Sequence, residues 1–201
     1  MLLRALRQKV PGRSGRGYFA RAILPVHIQY ADAQRAFGQP LGLQLAALEI
    51  GHVADLAVSL NQNGEAEHVV ITFSLTSDHP RMLETIAGLL EELDAPRGSV
   101  IGTAETPEQL PFGRTEGLGL YLDPGDGTGE DDHLDVLEAC TDALEGAGIY
   151  QGHTRLGERT ALYFYGDSFN EMKNALTFVV STEPRCRNAY ARRLTRPAMA
   201  D

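Results

Sequence analysis

With 201 residues, 43% apolar and 22% charged, the chain is long enough to bury a core and too apolar to be disordered throughout. Its apolar runs fall far short of the roughly 20 residues a membrane span needs. Cys140 and Cys186 are too few for a disulfide framework and form no CxxC pair, so a reduced, cytoplasmic protein is expected.

The net charge of −9 hides a segregation. Residues 1–22 carry six basic groups and no acid, and residues 185–201 carry five arginines against Asp201. The body between them holds 7 basic and 26 acidic groups, a net of −19. The opening MLLRALRQKV is broken by arginines before a secretory apolar region can form. Residues 1–20 read as a basic flexible arm and residues 21–201 as a single α+β domain. Residues 22–30, AILPVHIQY, read as an edge strand, since Pro25 would interrupt a central one. Residues 31–50 are ambiguous; LQLAALEI could end a helix.

From residue 53 two alternating runs, VADLAVSL and EHVVITFSL, flank Asn61-Gln62-Asn63-Gly64. An Asn-Gly pair in that setting marks a hairpin. Val69, Ile71, Phe73 and Leu75 share one strand face. A helix follows over about residues 79–94, capped by Asp78 with Pro80 in its first turn. Met82, Ile86, Leu89, Leu90 and Leu93 form its stripe, and Pro96 and Gly98 stop it before the strand SVI. Residues 103–114 read as a polar loop.

GLGLYL (117–122) reads as a strand that turns at Asp123-Pro124-Gly125 into an acidic loop. A helix over about 131–147 carries Leu134, Leu137, Thr141 and Leu144 on one line, with Val136, Cys140 and Ala143 beside it. The strands IYQGH and RTALYFYG come next. A third helix starts at Ser168, where Ser168 and Glu171 make a capping box. Its stripe is Phe169, Met172, Leu176 and Val179, and a last strand is expected near residues 186–191. This order predicts an α+β fold of two ferredoxin-like half-units, about 50–122 and 117–190. They would share one mostly antiparallel sheet with helices on one face.

No local motif carries chemistry. GDGTGEDD lacks the lysine of a phosphate loop, and its carboxylates would repel phosphate. The acids do not keep calcium-loop spacing. His27, His52, His68, His79, His133 and His153 offer no local metal pair, and His79 and His133 read as surface residues. Glu116, Tyr121, Tyr163 and Tyr165 are the residues an enzyme built from distant segments would use, though core packing explains buried tyrosines equally. No catalytic residue, cofactor or metal is therefore assigned. What stands out is the run Asp123, Asp126, Glu130, Asp131, Asp132, Asp135 and Glu138, with no Lys or Arg among them or before Glu145. Such a field repels nucleic acid and attracts a basic partner, unless it serves only as a solvated face. Nucleic acid is expected only through the basic arm, and no membrane contact is expected.

Asp94-Ala95-Pro96-Arg97-Gly98-Ser99, Pro111-Phe112-Gly113, Glu116-Gly117-Leu118, Tyr121-Leu122 and Thr160–Gly166 together resemble a family of small bacterial proteins akin to toxin-immunity proteins. The resemblance spans about residues 50–190 and implies a shared fold and a protein partner rather than a catalytic site. An immunity or inhibitor protein binding a basic toxin, such as a nuclease, is the leading expectation. A regulatory partner of an RNA-processing enzyme, and an enzyme without a recognisable motif, are the alternatives.

Overall fold

The computed structural model describes residues 17–77, 79–103, 109–123 and 133–195. The first part runs β1 (Tyr18–Leu24), α1 (Tyr30–Ala33), a π-helical stretch (Gln34–Gly38), α2 (Gln39–Ala47), β2 (Gly51–Leu60), β3 (Ala66–Leu75), α3 (Pro80–Glu92), β4 (Ser99–Thr103) and β5 (Leu110–Phe112). The second runs β6 (Glu116–Leu122), α4 (Leu134–Ala143), β7 (Ile149–Leu156), β8 (Arg159–Gly166), α5 (Phe169–Ala175), α6 (Thr177–Thr182) and β9 (Tyr190–Arg193).

The fold is α+β, with two antiparallel sheets in place of the single shared sheet expected. Their strand orders are β2-β3-β1-β4-β5 and β7-β8-β6-β9. Setting β5 aside, both sheets place their strands in the sequence second, third, first, fourth, which is the ferredoxin-like arrangement repeated. The repeat spans Tyr18–Thr103 and Glu116–Arg193, so the first unit begins well before the expected residue 50. Residues 18–20, assigned to the arm, already belong to β1; residues 1–16 lie outside the described part.

β1 pairs with β3 on one side and β4 on the other, so it is a central strand and not an edge. Pro25 lies one residue past its end, where a missing N–H costs no ladder bond. The ambiguous stretch 31–50 is helical. Pro40 cannot donate and its ring crowds the carbonyl four residues back, and the chain widens into a π turn just before it. The hairpin forms as expected: Asn61 Oδ1 accepts the Asn63 and Glu65 N–H groups at 2.9 and 3.1 Å, and Gly64 takes φ +77°.

α3 is capped by His79, whose Nδ1 accepts the Arg81 N–H at 3.2 Å; the expected cap, Asp78, is not among the described residues. The helix stops at Asp94, which takes a left-handed φ of +60° while the Ala95 N–H closes back on the Leu90 carbonyl at 3.0 Å. The stop thus precedes Pro96 and Gly98. Within the expected loop 103–114, Leu110–Phe112 pairs with β4 as an edge strand, where Pro111 is tolerated. The Ser168 cap is present, its Oγ accepting the Glu171 N–H at 3.3 Å.

Two apolar cores result. α1 to α3 cover one face of the first sheet, burying Phe37, Leu41, Leu45, Ile86 and Leu90 against Ala22, Ile71 and Phe73. α4 to α6 cover one face of the second, burying Val136, Cys140, Leu144, Met172 and Leu176 against Leu118, Leu120, Leu162 and Phe164. The opposite face of the second sheet, with Tyr121, Ala161, Tyr163 and Tyr165, joins the first core. The second sheet is therefore buried on both sides, and Gly117 and Gly119 leave room there for Leu194 and the Tyr165 ring.

Candidate functional site

On α4 the buried line is Val136, Cys140 and Leu144, whereas Leu134 and Thr141 of the expected line are exposed. The acids decide between the two. At 100° per residue, Asp135, Glu138, Asp142 and Glu145 centre opposite the 136–140–144 line, so burying that line leaves every carboxylate in water. All four are exposed. None makes an ion pair with another described residue. Asp123, by contrast, pairs with Arg159 at 3.2 Å. Asp126, Glu130, Asp131 and Asp132, and with them the GDGTGEDD glycines, lie outside the described residues.

The arginines after residue 184 could have cancelled the α4 field. Arg193 instead turns inward, its Nη1 2.6 Å from Glu116 Oε2 and its guanidinium 4.3 Å from the centre of the Phe169 ring. Glu116 is buried, also faces Arg97 at 3.7 Å, and accepts the Phe169 N–H at 2.8 Å. It ties together β6, β9 and the first residue of α5.

The tyrosines converge on a residue that sequence reasoning missed. Tyr121 and Tyr163 donate to the same oxygen of Glu65, Oε1, at 2.7 and 2.9 Å. Asn61 Nδ2 donates to Oε2 at 3.2 Å. Glu65 sits at the end of the hairpin turn, 4% exposed. Burial alone would raise its pKa. The phenol hydrogen bonds, nearby His27 and Asn61 together outweigh burial and hold the carboxyl below its ordinary range. Burial, reinforced by Glu65, pushes both phenols well above the ordinary tyrosine range. The carboxylate stays charged and the phenols stay protonated, so neither is poised for proton transfer near neutral pH. The arrangement fastens the hairpin to the second sheet.

Beside it, the His27 backbone N–H donates to the Tyr165 hydroxyl at 2.9 Å, and Gln29 Nε2 donates to Thr154 Oγ1 at 3.1 Å. One clue was present in the sequence. Tyr163 and Tyr165 alternate onto one strand face, and several phenols sharing a buried face require a polar partner.

His133, read as a surface residue, is buried; its ring lies 4.3 Å from that of His153, whose Nδ1 is 2.7 Å from the Tyr150 hydroxyl. Among the described residues no three His, Cys, Asp or Glu side chains are grouped to hold a metal ion. Cys140 and Cys186 are buried free thiols. Burial and the neighbouring Cys186 push Cys140 up to about 12, so it is not a reactive thiolate at neutral pH. No helix among the described residues is long and apolar enough to cross a membrane.

No family model matches the chain, and no curated protein matches it. Among solved structures it is similar to an unknown protein from Galdieria sulphuraria, at 13% identity and a TM-score of 0.29, covering 89% of this chain and 98% of that one. It is also similar to an anthrone oxidase-like protein, at 12% identity and a TM-score of 0.29, covering 94% and 98%. The first two RRM domains of a yeast poly(U)-binding protein align at 11% identity and a TM-score of 0.25, covering 88% and 99%.

Proposed function

We propose that the protein is a cytoplasmic inhibitor of the immunity type, which acts by docking a basic protein, such as a nuclease toxin, on the outward face of α4. The observation that carries this reading is the exposure of Asp135, Glu138, Asp142 and Glu145 along one face, without an ion pair among the described residues. Within α4, Asp135 to Asp142 span about 10 Å at 1.5 Å per residue, enough for several Lys or Arg side chains at once. A one-signed field raises the association rate with a cationic partner and lowers it for nucleic acid. The locked state of Glu65 and its tyrosines, and the structural employment of Glu116, favour binding over catalysis. The resemblance to immunity-type proteins points the same way.

The test uses the intact chain and an Asp135→Lys/Glu138→Lys/Asp142→Lys variant as baits in lysate of the cells that express it. A basic protein retained by the wild type and lost by the variant, with unchanged far-UV circular dichroism, supports the reading. For the purified pair, association should slow steeply between low salt and about 0.5 M, where the Debye length is roughly 4 Å. Equal capture by both baits, or a salt-independent rate, overturns it.

A further inference from the structure

We infer that His27 and Glu65 form an acid-released latch holding the second sheet against the loop after β1 and the turn between β2 and β3. Apolar packing of Val26 and Ile28 with Ala161 and the tyrosine rings fills this boundary, and the hydrogen bonds that cross it include His27 N–H to Tyr165, Gln29 to Thr154, and the two phenols to Glu65. His27 sits among them, 7% exposed, its ring centre 5.6 Å from that of Tyr163. Its Nδ1 is buried and has no hydrogen-bond partner among the described residues.

A neutral imidazole tolerates that position; an imidazolium does not. Protonation puts a second N–H donor on a buried ring. No hydrogen bond joins Glu65 to the ring's Nδ1, and three of the carboxylate's four lone-pair sites are already taken, two on Oε1 by the phenols and one on Oε2 by Asn61. The surrounding charges are mixed. Glu65 and Glu67 favour the cation, Arg192 and His68 oppose it, and the phenols Tyr163 and Tyr165 stay neutral. Burial is the largest influence and leaves the His27 pKa below its ordinary 6.5.

A charged His27 must therefore leave for water. Its own main chain carries the bond to Tyr165, so its departure draws the loop away from the second sheet. Further acid protonates Glu65 and removes the acceptor that the two phenols share. This boundary and the α4 surface lie on opposite faces of the second sheet, so the latch is independent of the docking face.

Hydrogen–deuterium exchange on the full chain tests this, followed in peptides covering residues 25–32, 61–66 and 160–166 and corrected for the intrinsic pH dependence of exchange. Between about pH 6.5 and about pH 5.5, opening linked to the His27 proton should lower protection there, by up to about fivefold. Peptides of α3 and α4 should be unaffected. His27→Phe, which removes both the titration and the orphan nitrogen, should abolish the pH response. Equal protection at both pH values in the wild type, or the same loss in His27→Phe, overturns the latch. If that variant fails to fold, NMR titration of the wild-type His27 ring decides. A ring that charges while the Tyr165 signals keep their native positions overturns the latch; loss of the native Tyr165 signals as His27 charges upholds it.

Discussion

The hydrogen-bonded group around Glu65 makes a quantitative claim: removing one member should be much worse than removing all of them. In Glu65→Ala, Tyr121 and Tyr163 lose their common acceptor, and both rings remain buried, at 4% and 0% exposure. Each stranded phenol costs about 1–3 kcal/mol. The desolvation of the carboxylate, which the wild type endures, is relieved in part, so the net loss should be about 3–5 kcal/mol. For a chain of this size that corresponds to a Tm lower by roughly 10 °C. Tyr163→Phe leaves Glu65 with Tyr121 and Asn61 and should cost about 1–2 kcal/mol. The triple variant Glu65→Leu/Tyr121→Phe/Tyr163→Phe strands no phenol, leaving only the half-buried Asn61 amide and the Thr154 hydroxyl short of a partner, and should lie within about 2 kcal/mol of the wild type. Equilibrium urea unfolding followed by far-UV circular dichroism measures all three. A Glu65→Ala cost below about 1 kcal/mol, or a triple variant as unstable as the sum of its parts, would refute a mutually dependent group.

Two further outcomes follow from the charged groups. Glu116→Ala takes the partner from the half-buried Arg193 and the Phe169 N–H and should cost about 2–3 kcal/mol. Glu91→Ala, which breaks an exposed pair with Arg114, should cost under about 1 kcal/mol on top of the loss of its hydrogen bond to the Gly113 N–H; the two urea midpoints compare them. The second outcome concerns pH. Both His27 and Glu65 have folded-state pKa values below their unfolded ones, 6.5 and 4.5. Folding therefore releases protons from these groups as acid is added, and their stabilisation is complete above pH 6.5. It declines first through His27 and then, below 4.5, through Glu65. Urea midpoints measured across that range should fall with acid, and His27→Phe should flatten the upper part of the decline.

The parts of the fold that local chemistry decides were legible. Asn61 and Gly64 announced the hairpin, the Ile86–Leu90 stripe announced α3, and Ser168 announced the start of α5. Errors arose where a residue's role depends on something distant. Pro25 argued for an edge strand, yet the strand ends before it and is central because β3 and β4 arrive on either side. Two apolar lines on α4 competed, and the opposing placement of four carboxylates settles the choice, an argument available from the sequence alone. Whether the half-units share a sheet is decided by which edges meet, and no local pattern encodes that.

Glu65 is the instructive failure. A carboxylate one residue after an Asn-Gly turn is ordinarily solvated, and its two phenol partners lie 56 and 98 residues further along the chain. The tyrosines read from the sequence as candidate reacting groups, but their chemistry runs the other way. Two phenols that donate to a carboxylate stay protonated and keep the carboxylate ionised, and a group fixed in its protonation state near neutral pH is poor at moving protons. The same fixity makes it a strong fastening, and leaves His27, with a buried nitrogen that no neighbour satisfies, as the place where acid should act first.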